Sequence, residues 1–148
     1  MDEKSLEQLQ SQPRNDKTIL VVDDDPAICE MMNSLLGRER IQVISTVRSQ
    51  EALTYLIKGS QVVIDLLITD LQMPAYGGFS IIKDLQSPKY NQVPILVVTG
   101  RNLDHQAVAL IKMESNVIDV IKKPISTRDF IVRVREILGM TSAPESSA

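Results

Sequence analysis

Leu66-Leu67-Ile68-Thr69-Asp70, continuing as Leu71-Gln72-Met73-Pro74, orders the rest of the chain around itself. The apolar run has no polar break before Thr69, which is the pattern of a strand buried on both faces. It ends on a carboxylate and gives way to a segment punctuated by Pro74, Gly77 and Gly78. Strands buried on both faces belong to parallel sheets, and chemistry gathers at the carboxyl ends of such strands. Asp70 therefore stands where a reactive group is expected, unless it merely caps the next segment. The other strand ends decide between the two.

Upstream, Thr18-Ile19-Leu20-Val21-Val22 is a second strand, ending on Asp23-Asp24-Asp25-Pro26. Proline behind acidic residues starts a helix, and Asp25 reads as part of that start. Ile28, Met31, Met32, Leu35 and Leu36 recur at helical spacing up to Gly37. A strand over residues 42–45 follows. Ser49 is placed to cap a second helix bearing Ala52, Leu53, Leu56 and Ile57, closed by Gly59. Downstream of Asp70, Gly78 precedes a helix whose Phe79, Ile82 and Leu85 point inward, ended by Ser87-Pro88.

Ile95-Leu96-Val97-Val98 is the fourth strand and ends in Thr99-Gly100. A helix over residues 103–114 turns Ala107, Leu110 and Ile111 inward. Residues 117–121 form the fifth strand, followed by Lys122-Lys123-Pro124. Ser126 and Asp129 have capping-box spacing, and Phe130, Val134, Ile137 and Leu138 mark the last helix until Gly139.

Five short apolar strands alternating with five amphipathic helices require a parallel sheet covered on both faces. Right-handed crossovers with the first strand inside the sheet favour the strand order 2-1-3-4-5, a doubly wound, flavodoxin-like α/β fold. The switch point then falls between strands one and three, so Asp23, Asp24 and Asp70 meet at one edge of the sheet. The polar residues 1–16, broken by Pro13, are expected to be a flexible tail, and residues 141–148 a tail or linker. The domain is expected over residues 17–140.

The chain has 148 residues, 43% of them apolar, enough for one cored domain. Sixteen basic and 19 acidic residues leave a net charge of -3, which argues against a nucleic-acid surface; Arg133 and Arg135 are too few for one. The single Cys29 has no partner for an internal disulfide and fits a reducing, cytoplasmic setting as a core residue. No secretion signal opens the chain, and Asp65 interrupts the longest apolar run, so no membrane insertion is expected. His105 has no metal-ligand spacing around it and reads as solvated. Lys122 reads as a surface charge on the opposite side of its strand from Lys123.

Crowded carboxylates repel one another, and a hard divalent cation relieves that cost; magnesium suits such oxygen ligands. Strand four adds the hydroxyl of Thr99, and strand five adds the ammonium of Lys123. A carboxylate nucleophile, a cation, a hydroxyl and an ammonium group together can carry phosphoryl transfer.

The succession VVDDDP, LLITDLQMP, LVVTG and VIKKP is similar to the receiver domain of two-component response regulators, over residues 17–140. The resemblance implies Asp70 as phosphoacceptor and Asp24 as a direct magnesium ligand. It implies that Asp23 holds a metal-bound water and that the carbonyl of Gln72 completes the ligands. Thr99 would bond a phosphoryl oxygen and Lys123 would pair with it, the peptide bond before Pro124 being cis. The implied partner is a histidine kinase or histidine phosphotransfer protein, with the output through a further partner or an output domain outside this chain.

Two departures stand out. Val120 occupies a position where the family often has a rotating aromatic ring, so output is expected to leave through residues 100–104, with Val120 passive. Ala75 and Gly77 replace a glycine and an acid common in the loop after the acceptor. Other functions fit less well. A receiver that only docks would not need the full set of Asp23, Asp24, Asp70, Thr99 and Lys123. An aspartate-nucleophile phosphatase would want an acid where Gln72 stands. A nucleotide or flavin binder would want a glycine-rich first loop in place of Asp23-Asp24-Asp25.

Overall fold

The computed structural model describes residues 17–71, 78–100 and 105–140. In chain order it contains β1 (Thr18–Val22), α1 (Pro26–Gly37), β2 (Gln42–Thr46), α2 (Ser49–Leu56) and β3 (Leu66–Thr69). Then come α3 (Gly78–Asp84), β4 (Ile95–Thr99), α4 (His105–Lys112), β5 (Val117–Lys122) and α5 (Thr127–Ile137). All five strands pair in parallel in the order β2-β1-β3-β4-β5. This is the doubly wound, flavodoxin-like arrangement expected from the strand and helix alternation. No described helix is long and apolar enough to cross a membrane.

The period of two along each strand sorts the core onto two faces. Leu20, Val22, Leu67, Ile95 and Val97 face one way and pack with Ala52 and Leu56 of α2, Ile81 and Ile82 of α3, and Ile111 of α4. Ile19, Val21, Leu66, Ile68, Leu96 and Val98 face the other way, onto Met32 and Leu36 of α1 and Phe130 and Val134 of α5. Strands buried on both sides have no polar alternation to show, which is why β1, β3 and β4 read as unbroken apolar runs. The edge strand β2 is the contrast, with exposed Gln42 and Ser45.

Several local expectations are corrected. Leu110 is 67% exposed, because on α4 it lies about a quarter turn from Ile111, the helix's buried residue. Phe79 is likewise exposed, since α3 and the turn after it bury the stripe of Ile81, Ile82 and Leu85. Ile57 leaves the helical conformation at the end of α2 and bridges Tyr90 instead. Ser49 is the first helical residue and not the cap. The backbone N–H of Arg48 just before it is held by Thr46 Oγ1 at 3.1 Å. Ser126 does occupy the cap position of α5, yet its side chain makes no capping hydrogen bond. Gly139, at φ 71°, ends α5 with Met140 N–H donating back to Arg135 at 2.9 Å, a closure that favours glycine.

Between β4 and β5 the register shifts by one residue: Ile95 faces Val117, but Leu96 faces Asp119. Ile118 is left outside the pairing and is exposed. Asp119 Oδ1 accepts the neighbouring Val120 N–H at 2.8 Å, and Asp119 Oδ2 accepts from Arg133 of α5 at 3.1 Å. Val120 then packs, half-buried, on the α2–α4 face. Of residues 100–104, through which output is expected to leave, 101–104 lie outside the described residues, as do residues 1–16, 72–77 and 141–148.

Chemical denaturation separates the buried stripe from the exposed one. Phe130→Ala should cost about 3–5 kcal/mol by opening a cavity in a close-packed face, whereas Leu110→Gln should change stability by no more than about 0.5 kcal/mol.

Candidate functional site

Four strands deliver one residue each to the carboxyl edge of the sheet. Asp23 follows β1, Asp70 follows β3, Thr99 closes β4 and Lys123 follows β5. Backbone bonds continue the ladder one residue past the strands and so set these positions. Asp70 N–H donates to Val22 at 3.1 Å, and Lys123 N–H donates to Thr99 at 2.7 Å. Asp23 N–H donates to the carbonyl of Thr46 on the edge strand at 3.2 Å. The peptide bond between Lys123 and Pro124 is cis.

Asp23 and Asp70 are 4% and 6% exposed, and Lys123 Nζ lies 3.0 Å from Oδ2 of each. Asp23 Oδ1 accepts the backbone N–H of Asp25 at 2.9 Å, and Asp25 in turn caps α1 through Ala27 N–H at 2.9 Å. Asp25 therefore does what its position before Pro26 implied. Thr99 is fully buried, and its Oγ1 has no hydrogen-bond partner among the described residues. A buried hydroxyl left without an acceptor is costly, and this one stands at the end of β4, the strand between those that carry Asp70 and Lys123.

Burial pushes the Asp23 carboxyl above its ordinary value of 3.8, and the charge of Asp70 adds to this; the bonds from Asp25 and Lys123 pull the other way without cancelling it. Burial draws the Lys123 ammonium down, but its bonds to Asp23 and Asp70 outweigh that and leave it above its ordinary 10.5. Asp23, Asp24 and Asp70 bring carboxylate oxygens within 4.8 Å of one another, with Asp24 exposed. Hard oxygen donors, a buried acid pushed up and an open side at Asp24 fit a hard divalent cation.

Asp23, Asp24, Asp70, Thr99 and Lys123 thus meet at one edge, as their strands predicted, and Gln72 lies outside the described residues. Two contributors escaped the sequence reading. Thr46 holds Asp23 through its carbonyl, and its hydroxyl lies 3.1 Å from Glu51 Oε2; its only signal was a polar residue at a strand end. Cys29 donates its thiol to the carbonyl of Asp23 at 3.4 Å. Burial, and then the charges of Asp23, Asp25 and Asp24, push that thiol up, which keeps it protonated as a donor and as the core residue it was expected to be. Lys122 and His105 are exposed, and Arg133 is tied up with Asp119 and Glu136.

A family model described as the response regulator receiver domain matches residues 19–135. Response regulator GtcR of Aneurinibacillus migulanus is 31% identical over 119 residues, which cover 80% of this chain and 46% of that protein. Response regulator SaeR of Staphylococcus aureus (strain USA300) is 26% identical over 120 residues, covering 81% of this chain and 50% of that one. A solved structure of a putative response regulator from Chloroflexus aurantiacus J-10-fl is 29% identical with a TM-score of 0.71, covering 84% of this chain and 99% of that one. The chain spans about half the length of the curated relatives it matches.

The raised Asp23 has a sign that can be measured. The folded protein holds this proton more tightly than the unfolded chain, so the ionised carboxylate costs stability. That cost sets in as pH rises from about the ordinary 3.8 through the folded value, and it is absent below. In metal-free buffer Asp23→Asn should therefore raise the midpoint of thermal unfolding at neutral pH, and the gain should vanish towards pH 3. A lower midpoint at neutral pH would show that the pair with Lys123 outweighs the burial cost.

Proposed function

The chain belongs to the response regulator receiver family, and from that premise we propose that it is a phosphorylation-controlled signalling switch whose acceptor is Asp70. The phosphoryl group would come from a phosphohistidine of a histidine kinase or histidine phosphotransfer protein. An Asp70 oxygen attacks phosphorus, the N–P bond breaks, and its electron pair returns to the imidazole. The product is an acyl phosphate, which water can later hydrolyse. The domain assists both steps on its own acceptor and is not a turnover enzyme.

The observation that carries this reading is the buried Asp70 carboxylate held at 3.0 Å by Lys123 Nζ. An ammonium at that distance is placed to follow the charge from the carboxylate to a phosphoryl oxygen. The hydroxyl of Thr99, without an acceptor among the described residues, is suited to donate to a second oxygen. Magnesium would be held by Asp24 and Asp70, with Asp23 through water and the carbonyl of Gln72. Bound there, it supplies positive charge where the phosphoryl group is most negative. Asp23 anchors the arrangement through its bond from Asp25 at the start of α1.

The signal would pass to an output partner or to an output domain of a longer regulator, in keeping with a match that spans about half of each curated relative. Residues 17–140 form the receiver in this reading, residues 1–16 are a tail and residues 141–148 a tail or linker, and the setting is the cytoplasm.

Incubation with acetyl phosphate and magnesium should add one phosphoryl group, seen by intact mass. Asp70→Asn should abolish the adduct, and chelation should slow its formation by orders of magnitude. An undiminished adduct on Asp70→Asn would place the acceptor elsewhere.

A further inference from the structure

We propose that Thr46 and Glu51 are positioning residues for Asp23, and that through them the edge strand β2 sets how firmly the site holds a divalent cation. This rests on reading Asp23 as the residue that holds a metal-bound water. β2 contributes no side chain to the set of Asp23, Asp24, Asp70, Thr99 and Lys123. Asp23 stands one step past the last pair of β1 with β2, Val22 with Thr46. Its N–H continues the ladder beyond that pair, donating to the Thr46 carbonyl at 3.2 Å. On the other side of β1, Asp70 N–H donates to Val22, so the β3 ladder does not hold the Asp23 N–H.

The Thr46 carbonyl lies where the chain leaves the edge of the sheet and turns into α2. Its own side chain holds it there. Oγ1 accepts Arg48 N–H at 3.1 Å, closing the turn, and lies 3.1 Å from Glu51 Oε2 and 3.3 Å from the Arg48 carbonyl. The hydroxyl has one proton to donate, and the carboxylate, charged and closer, is the stronger acceptor. Glu51 lies in the first turn of α2, where negative charge is favoured. Thr46 is buried and β-branched, so anchoring its hydroxyl leaves its backbone few orientations. A continuous series of bonds therefore runs from Glu51 through Thr46 to Asp23, and from Asp23 Oδ1 to Asp25 N–H at the start of α1. Partners that orient a metal's ligands without touching the metal tune its affinity.

Amide hydrogen exchange of the metal-free chain and calorimetric titration with magnesium test this in the wild type, Thr46→Val, Thr46→Ser and Glu51→Ala. Thr46→Val keeps the branched shape and removes the hydroxyl. Exchange of the Asp23 amide should then accelerate about tenfold beyond any change at the amides of β3 and β4, which report global stability. Magnesium should bind about fivefold more weakly. Thr46→Ser should restore both. Glu51→Ala, at an exposed position, should move both the same way by about twofold. An Asp23 amide that merely follows those of β3 and β4 in Thr46→Val overturns the positioning role. Selective loss of its protection with unchanged magnesium affinity overturns the link to the cation. If the wild type binds no magnesium, the metal reading fails and that link with it, while exchange still decides the positioning role. Should Thr46→Val fail to fold, Glu51→Ala decides: unchanged exchange at Asp23 and unchanged magnesium affinity overturn the proposal.

Discussion

Two carboxylates buried side by side at the edge of a sheet repel each other and lose their hydration, and Lys123 is what lets Asp23 and Asp70 coexist there. One ammonium lies 3.0 Å from an oxygen of each, and it is held firmly enough that its own pKa ends above the ordinary value despite burial. The compensation is incomplete, because Asp23 remains above its usual range. A site left in this condition is under electrostatic tension, and added positive charge relieves it.

The fold makes that crowding possible. In a doubly wound sheet, the connection leaving β1 runs through α1 to β2, while β3 sits on the other side of β1. No crossover covers the gap between β1 and β3, so the residues just past these strands face an open edge. Asp23 and Asp70 occupy those places, with Asp23 tied back to the edge strand through Thr46 and forward to α1 through Asp25. Both faces of the sheet are covered by apolar clusters, so these polar groups stand at its carboxyl edge rather than on a face.

Thr99 occupies the complementary role. Its hydroxyl is buried, lacks an acceptor among the described residues, and stands at the end of the strand lying between those of Asp70 and Lys123. Buried polar atoms are almost always paired in folded proteins, and this hydroxyl is an exception among the described residues. Val120 is half-buried and packs against the apolar cluster under α2, α3 and α4, and its own side chain carries no ring.

Local sequence determined the five strands, the five helices, the two-sided burial and the strand ends that carry Asp23, Asp24, Asp70, Thr99 and Lys123. These follow from residue periodicity and from helix-start chemistry, which act over a few residues. It did not determine which partly apolar helix residues are covered: Leu110 and Phe79 share the hydrophobicity of their neighbours and differ only in angle to a sheet they cannot identify alone. Nor did it predict Thr46 and Cys29 as supports of Asp23, since their bonds join segments brought together by folding. The choice of Lys123 over Lys122 rested on strand alternation and on the proline that follows Lys123, and the tertiary structure shows what sets it. The register shift at Ile118 sets Lys122 opposite Thr99 and puts Lys123 one step beyond. A regular ladder would have put Ile121 opposite Thr99 and Lys122 in the position that reaches Asp70. A shift of this kind is a property of two paired strands, and one strand's sequence does not encode it by itself.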